Sequence, residues 1–188
     1  MMGLQAYELG ILNAIQKIRT DNLDSFMVTI TSLGNMSILW FSLILVFLTT
    51  RRYKEIGKII LISFILNLIL VNIILKISVG RPRPYEAANF TNLLINHLSD
   101  NSFPSGHTSY AASFATIIIL LAKSKVLKSY IGTIAILIAF SRLYLYVHYP
   151  TDVLAGAIIG VLLAIAAIKI YQSKTYGYIK EKYNLHRA

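Results

Sequence analysis

Cysteine is absent from the 188-residue chain, which excludes disulfides and any thiolate-bound metal or cofactor. Charge is scarce: 14% of residues carry it, and only 8 are acidic. A water-soluble domain of this length needs a larger polar surface, so the composition excludes one and implies a bundle whose outside is covered by lipid. No cleavable signal peptide is expected, because Met1, Met2, Gly3 and Leu4 place no basic region before an apolar run. The same start fits myristoylation poorly. What the chain has in plenty is apolar: 56% hydrophobic residues, with a mean hydropathy of +0.63. Its formal charge of +10 would suggest nucleic acid in a soluble protein. In a membrane protein it reflects basic cytoplasmic loops and contact with anionic lipid or phosphate, and nucleic acid is not an expected partner.

Apolar runs near 25–49, 57–78, 105–122, 129–147 and 152–171 predict an all-α, polytopic bundle of about five spans. The first run is broken at Gly34 and Asn35, as one kinked helix or as a short interfacial helix followed by a span from Met36. Leu4, Leu9, Ile11, Leu12, Ile15 and Ile18 set against Gln5, Glu8, Gln16, Lys17 and Arg19 predict an amphipathic helix over 1–22 lying flat in the interface. The rest reads as one catalytic bundle over 25–171 and a tail over 172–188. Arg51, Arg52, Lys54 and Lys58, then Lys123, Lys125 and Lys128, then Lys169, Lys174, Lys180, Lys182 and Arg187 fall on one side of five spans. The positive-inside rule makes that side the cytoplasm, so the loops 79–104 and 148–151, and the N-terminus, are expected outside.

Three clusters break the apolar background, all on the outward side. The first holds Lys76, Arg81, Pro82, Arg83 and Pro84; the second runs Pro104, Ser105, Gly106, His107; the third holds Ser141, Arg142, His148, Pro150 and Asp152. Ionisable groups at membrane depth are costly without partners, so each is a functional candidate. Phosphoryl transfer needs cations and backbone donors around a phosphate group. Lys76, Arg83 and Arg142 supply the cations. Ser105 and Gly106 sit at a helix start, where free amides and the dipole favour an anion. His148 and His107 then divide the roles of nucleophile and proton donor. A helical turn would bring Asp152 towards one nitrogen of His148, fixing its tautomer while the other attacks phosphorus. His107 is left to protonate the leaving oxygen and later to activate water.

Each residue has a plainer reading. A lone interfacial histidine is ordinarily a satisfied polar group. Arg81 and Arg83 could anchor headgroups, and Pro82, Pro84 and Pro150 could stop helices. Gly156 and Gly160 let helices approach closely, and Asn67 and Asn72 form interhelical bonds, with Asn72 on the helix face of Lys76. Glu86, His97 and Asp100 are loop residues without an identified partner, and the tyrosines form an aromatic belt. The three clusters outweigh these readings because together they supply complementary parts of one reaction on one face.

The pattern resembles the type 2 phosphatidic acid phosphatase superfamily, whose signature is K-x6-R-P, then P-S-G-H, then S-R-x5-H-x3-D. Lys76 through Arg83 and Pro84, Pro104 through His107, and Ser141, Arg142, His148 and Asp152 match it without departure over roughly 25–171. The resemblance implies phosphate binding by Lys76, Arg83, Ser105, Gly106 and Arg142, acid/base work by His107, nucleophilic attack by His148 and orientation by Asp152. It implies no cofactor and no metal; Glu86, Asp100 and Asp152 are too few for a Mg²⁺ cage. The expected substrate is a polyprenyl or glycerolipid phosphate among membrane lipids. Undecaprenyl pyrophosphate comes first and phosphatidylglycerophosphate or phosphatidate second, with a non-catalytic lipid-phosphate binding or transport protein as the alternative of another class. Oligomeric state has no signature in the chain.

Overall fold

The computed structural model describes residues 2–34 and 38–185, the side chains of 2, 38–40 and 174–185 excepted. It is all-helical, with no strand among the described residues. In chain order the helices are α1 (Met2–Gln16), α2 (Asp21–Leu33), α3 (Ile38–Thr49), α4 (Lys54–Asn67), a π-helical segment (Leu68–Leu75), α5 (Lys76–Val79), α6 (Pro84–Ala87), α7 (Gly106–Leu121), α8 (Lys125–Tyr144) and α9 (Pro150–Leu185). Local chemistry sets several starts. Thr20, Ser105 and Ser124 cap α2, α7 and α8 by accepting from the amides of Leu23, Thr108 and Leu127. Pro84 and Pro150 open α6 and α9 rather than stop helices, since a first-turn position needs no amide hydrogen.

α7 is the central helix, packed against α9, α8 and α4, and Ile117 and Ile118 on it are wholly buried. Its tightest contact is with α9. A β-carbon on Gly156 would lie 2.6 Å from the Ser105 carbonyl oxygen, and one on Gly160 would lie 2.3 Å from that of Ser109. Both glycines therefore serve the close helix approach expected of them. Asn67 joins α4 to α7 by accepting from Ser109 Oγ at 2.5 Å, and Asn72 reaches across to the Tyr110 hydroxyl at 3.2 Å.

Large apolar side chains such as Phe41, Ile73, Ile77, Ile136 and Leu154 face outward, as lipid contact requires. Three helical stretches are long and apolar enough to cross a membrane: Lys54–Ala87, Lys125–Tyr144 and Pro150–Ser173. Gly106–Leu121 is apolar but shorter, 16 residues or about 24 Å of helix. The first apolar run divides into α2 and α3; of the break expected at Gly34 and Asn35, Gly34 ends α2 and Asn35 lies outside the described residues.

Candidate active site

The chemistry-bearing residues collect at one end of the bundle, where α5 and α8 finish and α7 and α9 begin. The π-helical segment widens the helix just before Lys76, which emerges 7% exposed. Gly80 then ends α5 at φ +60°, a left-handed turn that suits a residue without a β-carbon. This sharp exit brings Arg81 and Arg83 back over the bundle end. At the far side of the site, Tyr146 also takes a positive φ of 60°, turning the chain from α8 into the short link that carries His148. The backbone amide of Ser105 donates to the Asp152 carbonyl at 3.0 Å and so ties the start of α7 to the start of α9.

Arg83 is 1% exposed and fully engaged. Its Nη1 donates to the Val147 carbonyl at 2.7 Å and lies 3.4 Å from His148 Nε2; its Nη2 donates to Asp100 Oδ1 at 2.6 Å. Lys76 pairs with the other oxygen of Asp100. Arg142, also 1% exposed, donates through Nη1 to Thr31 Oγ1 on α2. Its Nε is the one buried side-chain polar atom left without a hydrogen-bond partner among the described residues. A buried charged donor without an acceptor is costly, and an anion arriving there would relieve the cost.

His148 is 1% exposed. Asp152 does not reach it along a helix, because His148 lies in the link before α9. The Asp152 carboxylate caps that helix start instead, accepting from the Tyr149 amide at 2.9 Å, with Oδ2 3.6 Å from His148 Nδ1. That separation exceeds a hydrogen bond. Ser102 fills the gap: its hydroxyl donates to Asp152 Oδ2 at 2.5 Å and stands 3.5 Å from His148 Nδ1. With Nδ1 turned to this carboxylate, Nε2 faces the cations. Burial lowers the pKa of His148 well below its ordinary value, and Arg83, Arg142 and Lys76 push it the same way, so the ring is neutral. Burial raises the pKa of Asp100, but Lys76 and Arg83 outweigh it and hold that carboxyl at about 2.

His107, in the first turn of α7, lies in the combined field of Arg142, His148, Lys76 and Arg83, so the two imidazoles share one site. Its ring packs on the backbone of Gly34, where a β-carbon would come 2.6 Å from Cδ2. All eight residues singled out from the sequence therefore meet at one end. The loop residues for which the sequence identified no partner have one. Asp100 bridges Lys76 and Arg83, Glu86 accepts from the Arg83 amide at 2.8 Å, and His97 stacks edge-on to Tyr85 at 5.0 Å. Ser102, Thr31 and Glu8 carried no signal in the sequence. Arg81, for which headgroup anchoring was the plainer reading, bonds Glu8 and Asp152, both at 2.6 Å.

A helical bundle with an apolar exterior and a buried cluster of cations and imidazoles at one end defines an integral membrane protein that receives a phosphorylated group. The sequence profile of the PAP2 superfamily matches residues 56–176. An undecaprenyl-diphosphatase of Sulfolobus acidocaldarius is 31% identical over 165 residues, covering 87% of this chain and 78% of that protein. The crystal structure of a transmembrane PAP2-type phosphatidylglycerolphosphate phosphatase from Bacillus subtilis superposes with a TM-score of 0.76 at 32% identity, covering 92% of this chain and 88% of that one. That of Aquifex aeolicus LpxE gives 0.76 at 32%, covering 86% and 94%. The chain belongs to the PAP2 superfamily, and within it is a membrane lipid phosphatase.

Proposed function

We propose that the chain hydrolyses undecaprenyl pyrophosphate to undecaprenyl phosphate through a phosphohistidine on His148. The observation that carries the phosphoryl chemistry is the unpartnered, buried Nε of Arg142 beside Lys76, Arg83 and the two imidazoles. Phosphate oxygens satisfy such donors, and the Gly106 amide at the start of α7 adds to the cradle, the Ser105 amide being given to the Asp152 carbonyl. In the first step the lone pair of His148 Nε2 attacks the terminal phosphorus and its bond to the bridging oxygen breaks, so that undecaprenyl phosphate is the leaving group. His107 gives its proton to that oxygen, and Asp152, with Ser102, steadies the charged ring through Nδ1. In the second step His107 takes a proton from water, the oxygen attacks phosphorus, and the N–P bond breaks with its electrons returning to Nε2. Inorganic phosphate leaves.

Three buried cations supply the charge stabilisation that a metal ion would otherwise bring, so activity is expected to persist in excess chelator. The likeness to the Sulfolobus acidocaldarius undecaprenyl-diphosphatase supports the first choice of substrate, and the Bacillus subtilis phosphatase supports phosphatidylglycerophosphate as the runner-up. An apolar cavity of about 180 Å³ is lined by Leu33, Ala111, Phe114, Ile134 and Ile138, and Leu33 precedes Gly34, whose backbone lies against the His107 ring. A lipid tail leaving the His107 side would find room there. The basic residues of the α3–α4 and α7–α8 turns lie at the opposite end of the bundle, which supports an outward-facing site.

The test is phosphate release from purified lipids by wild-type and His148→Ala protein, with acid quenching to trap labelled phosphoenzyme. Wild-type rates from the variant, or binding without turnover by the wild type, would refute the nucleophile. Preference for phosphatidylglycerophosphate would reverse the substrate order.

A further inference from the structure

The signature leaves Arg81 among its unspecified positions, and α1 lies outside the matched residues 56–176. Yet Arg81 bonds the Asp152 carboxylate, and α1 is joined to it through Arg81. Glu8, on α1, is 2% exposed. One of its oxygens accepts from the Thr151 amide at 3.0 Å and hydroxyl at 2.5 Å; the other accepts from Arg81 Nη2 at 2.6 Å. Arg81 Nη1 in turn donates to Asp152 Oδ1 at 2.6 Å and to Thr151 Oγ1 at 2.8 Å. The guanidinium carbon lies over the Tyr149 ring, 3.7 Å from its centre, and Gln5 of α1 holds the Tyr149 hydroxyl at 3.1 Å. The guanidinium thus reaches three side-chain oxygens and rests on an aromatic face.

We propose that Glu8 and Arg81 are positioning residues that fix the Asp152 carboxylate against His148, making the N-terminal helix a working part of the active site. The proposal rests on the assignment of His148 as nucleophile above. Arg81 occupies Oδ1 of Asp152 and thereby leaves Oδ2 for Ser102, the Tyr149 amide and the His148 ring. An Arg81 bound to Asp152 alone would neutralise it and weaken its hold on a charged imidazole. Glu8 shares the guanidinium and keeps Asp152 the stronger partner of His148. A breach anywhere along this line moves the carboxylate by a fraction of an ångström, enough to change the rate of attack.

The experiment compares wild-type, Glu8→Gln and Arg81→Gln protein by phosphate release from undecaprenyl pyrophosphate across pH. His148 faces Lys76, Arg83, Asp100, Arg142, His107 and Asp152, all of which these variants retain. Both substitutions are expected to lower kcat by up to about 100-fold with little change in KM. They should move the acid limb of kcat/KM in opposite directions. Loss of the Glu8 charge disfavours a proton on His148 and shifts the limb to lower pH; loss of the Arg81 charge shifts it to higher pH. A pair that only braces the fold would lower yield and Tm and leave the limb where it was, and that result overturns the proposal. If neither single variant folds, Glu8→Gln with Arg81→Gln removes both charges together. Lowered kcat at unchanged KM then supports the proposal, and wild-type kcat overturns it. Full activity in His148→Ala would instead strike the nucleophile assignment, whereas an inactive His148→Ala beside wild-type Glu8 and Arg81 variants strikes this inference alone.

Discussion

The carboxylate of Asp100 holds the guanidinium of Arg83 at 2.6 Å, and its second oxygen holds Lys76. A loop carboxylate thus takes the two cations assigned to the phosphate. Because the carboxyl group is held at about 2, it stays ionised well below neutral pH, so mild acidification does not release it. An incoming phosphate must exchange with it. Asp100→Asn is accordingly expected to bind inorganic phosphate about tenfold more tightly, read as product inhibition, because one competing charge is gone. Without phosphate the variant should melt lower, since two buried cations lose their counter-charge. Added phosphate should raise its Tm more than that of the wild type.

His148 gives the pH dependence a definite sign. Its pKa is lowered by burial and by Arg83, Arg142 and Lys76, so the proposed nucleophile stays neutral below the ordinary imidazole range. The rate of attack should hold as pH falls through 6.5 and drop only at the lowered value. Stability behaves differently. Above about 6.5 the ring is neutral folded or unfolded and contributes nothing to the pH slope. Below that, the unfolded chain binds a proton that the folded site refuses, so stability falls with falling pH until the lowered pKa is reached. Melting in detergent across pH checks this, and His148→Asn should flatten the slope.

Costly chemistry was legible in the chain; cheap chemistry was not. Lys76, Arg83, Arg142, His107 and His148 stood out because an ionisable side chain among apolar residues demands a reason. Ser102 and Asp100 sit in the polar loop before α7, where a serine or an aspartate needs none. Their contacts, with Asp152 50 residues away and with Lys76 24 residues away, come from how the loop folds back over the bundle end. Thr31 reads as part of an apolar run until α2 packs on α8 and presents its hydroxyl to Arg142. The same limit applied to α1. Its amphipathic pattern was visible, but the pattern alone fits an interface as well as a protein surface. The structure turns Gln5, Glu8, Asn13 and Gln16 to hydrogen bonds with Tyr149, Thr151, Tyr146 and the Tyr144 carbonyl, and leaves Leu4 and Tyr7 exposed.

Helix approach makes a second pair of predictions. A methyl group at Gly160 would meet the Ser109 carbonyl at 2.3 Å and Ala112 at 3.0 Å, both on α7. Gly160→Ala is therefore expected to part α7 from α9 and cost about 1–3 kcal/mol. Gly132, on α8, meets only Ile119 at 3.9 Å, so Gly132→Ala should be neutral or stabilise by up to about 1 kcal/mol through helix propensity. Equal melting temperatures for the two variants would show that the α7–α9 contact is not limiting.

Gly34 connects packing to catalysis most directly. Its backbone lies against the His107 ring, and a β-carbon there would sit 2.6 Å from Cδ2, 3.3 Å from Cγ and 3.1 Å from Ile138 Cγ2. The backbone at Gly34 is right-handed, φ −85°, so alanine meets no conformational strain of its own and acts through the ring. Gly34→Ala should push His107 out of line with the leaving oxygen while Lys76, Arg83 and Arg142 keep their places. Because a misplacement of about 1 Å can cost some 100-fold, kcat is expected to fall by that order with KM nearly unchanged. The loss should be smaller for a substrate whose leaving group needs no proton, such as p-nitrophenyl phosphate, since His107 then has less to do in the first step. An equal loss on both substrates would mean that the ring's displacement disturbs phosphate binding rather than proton transfer.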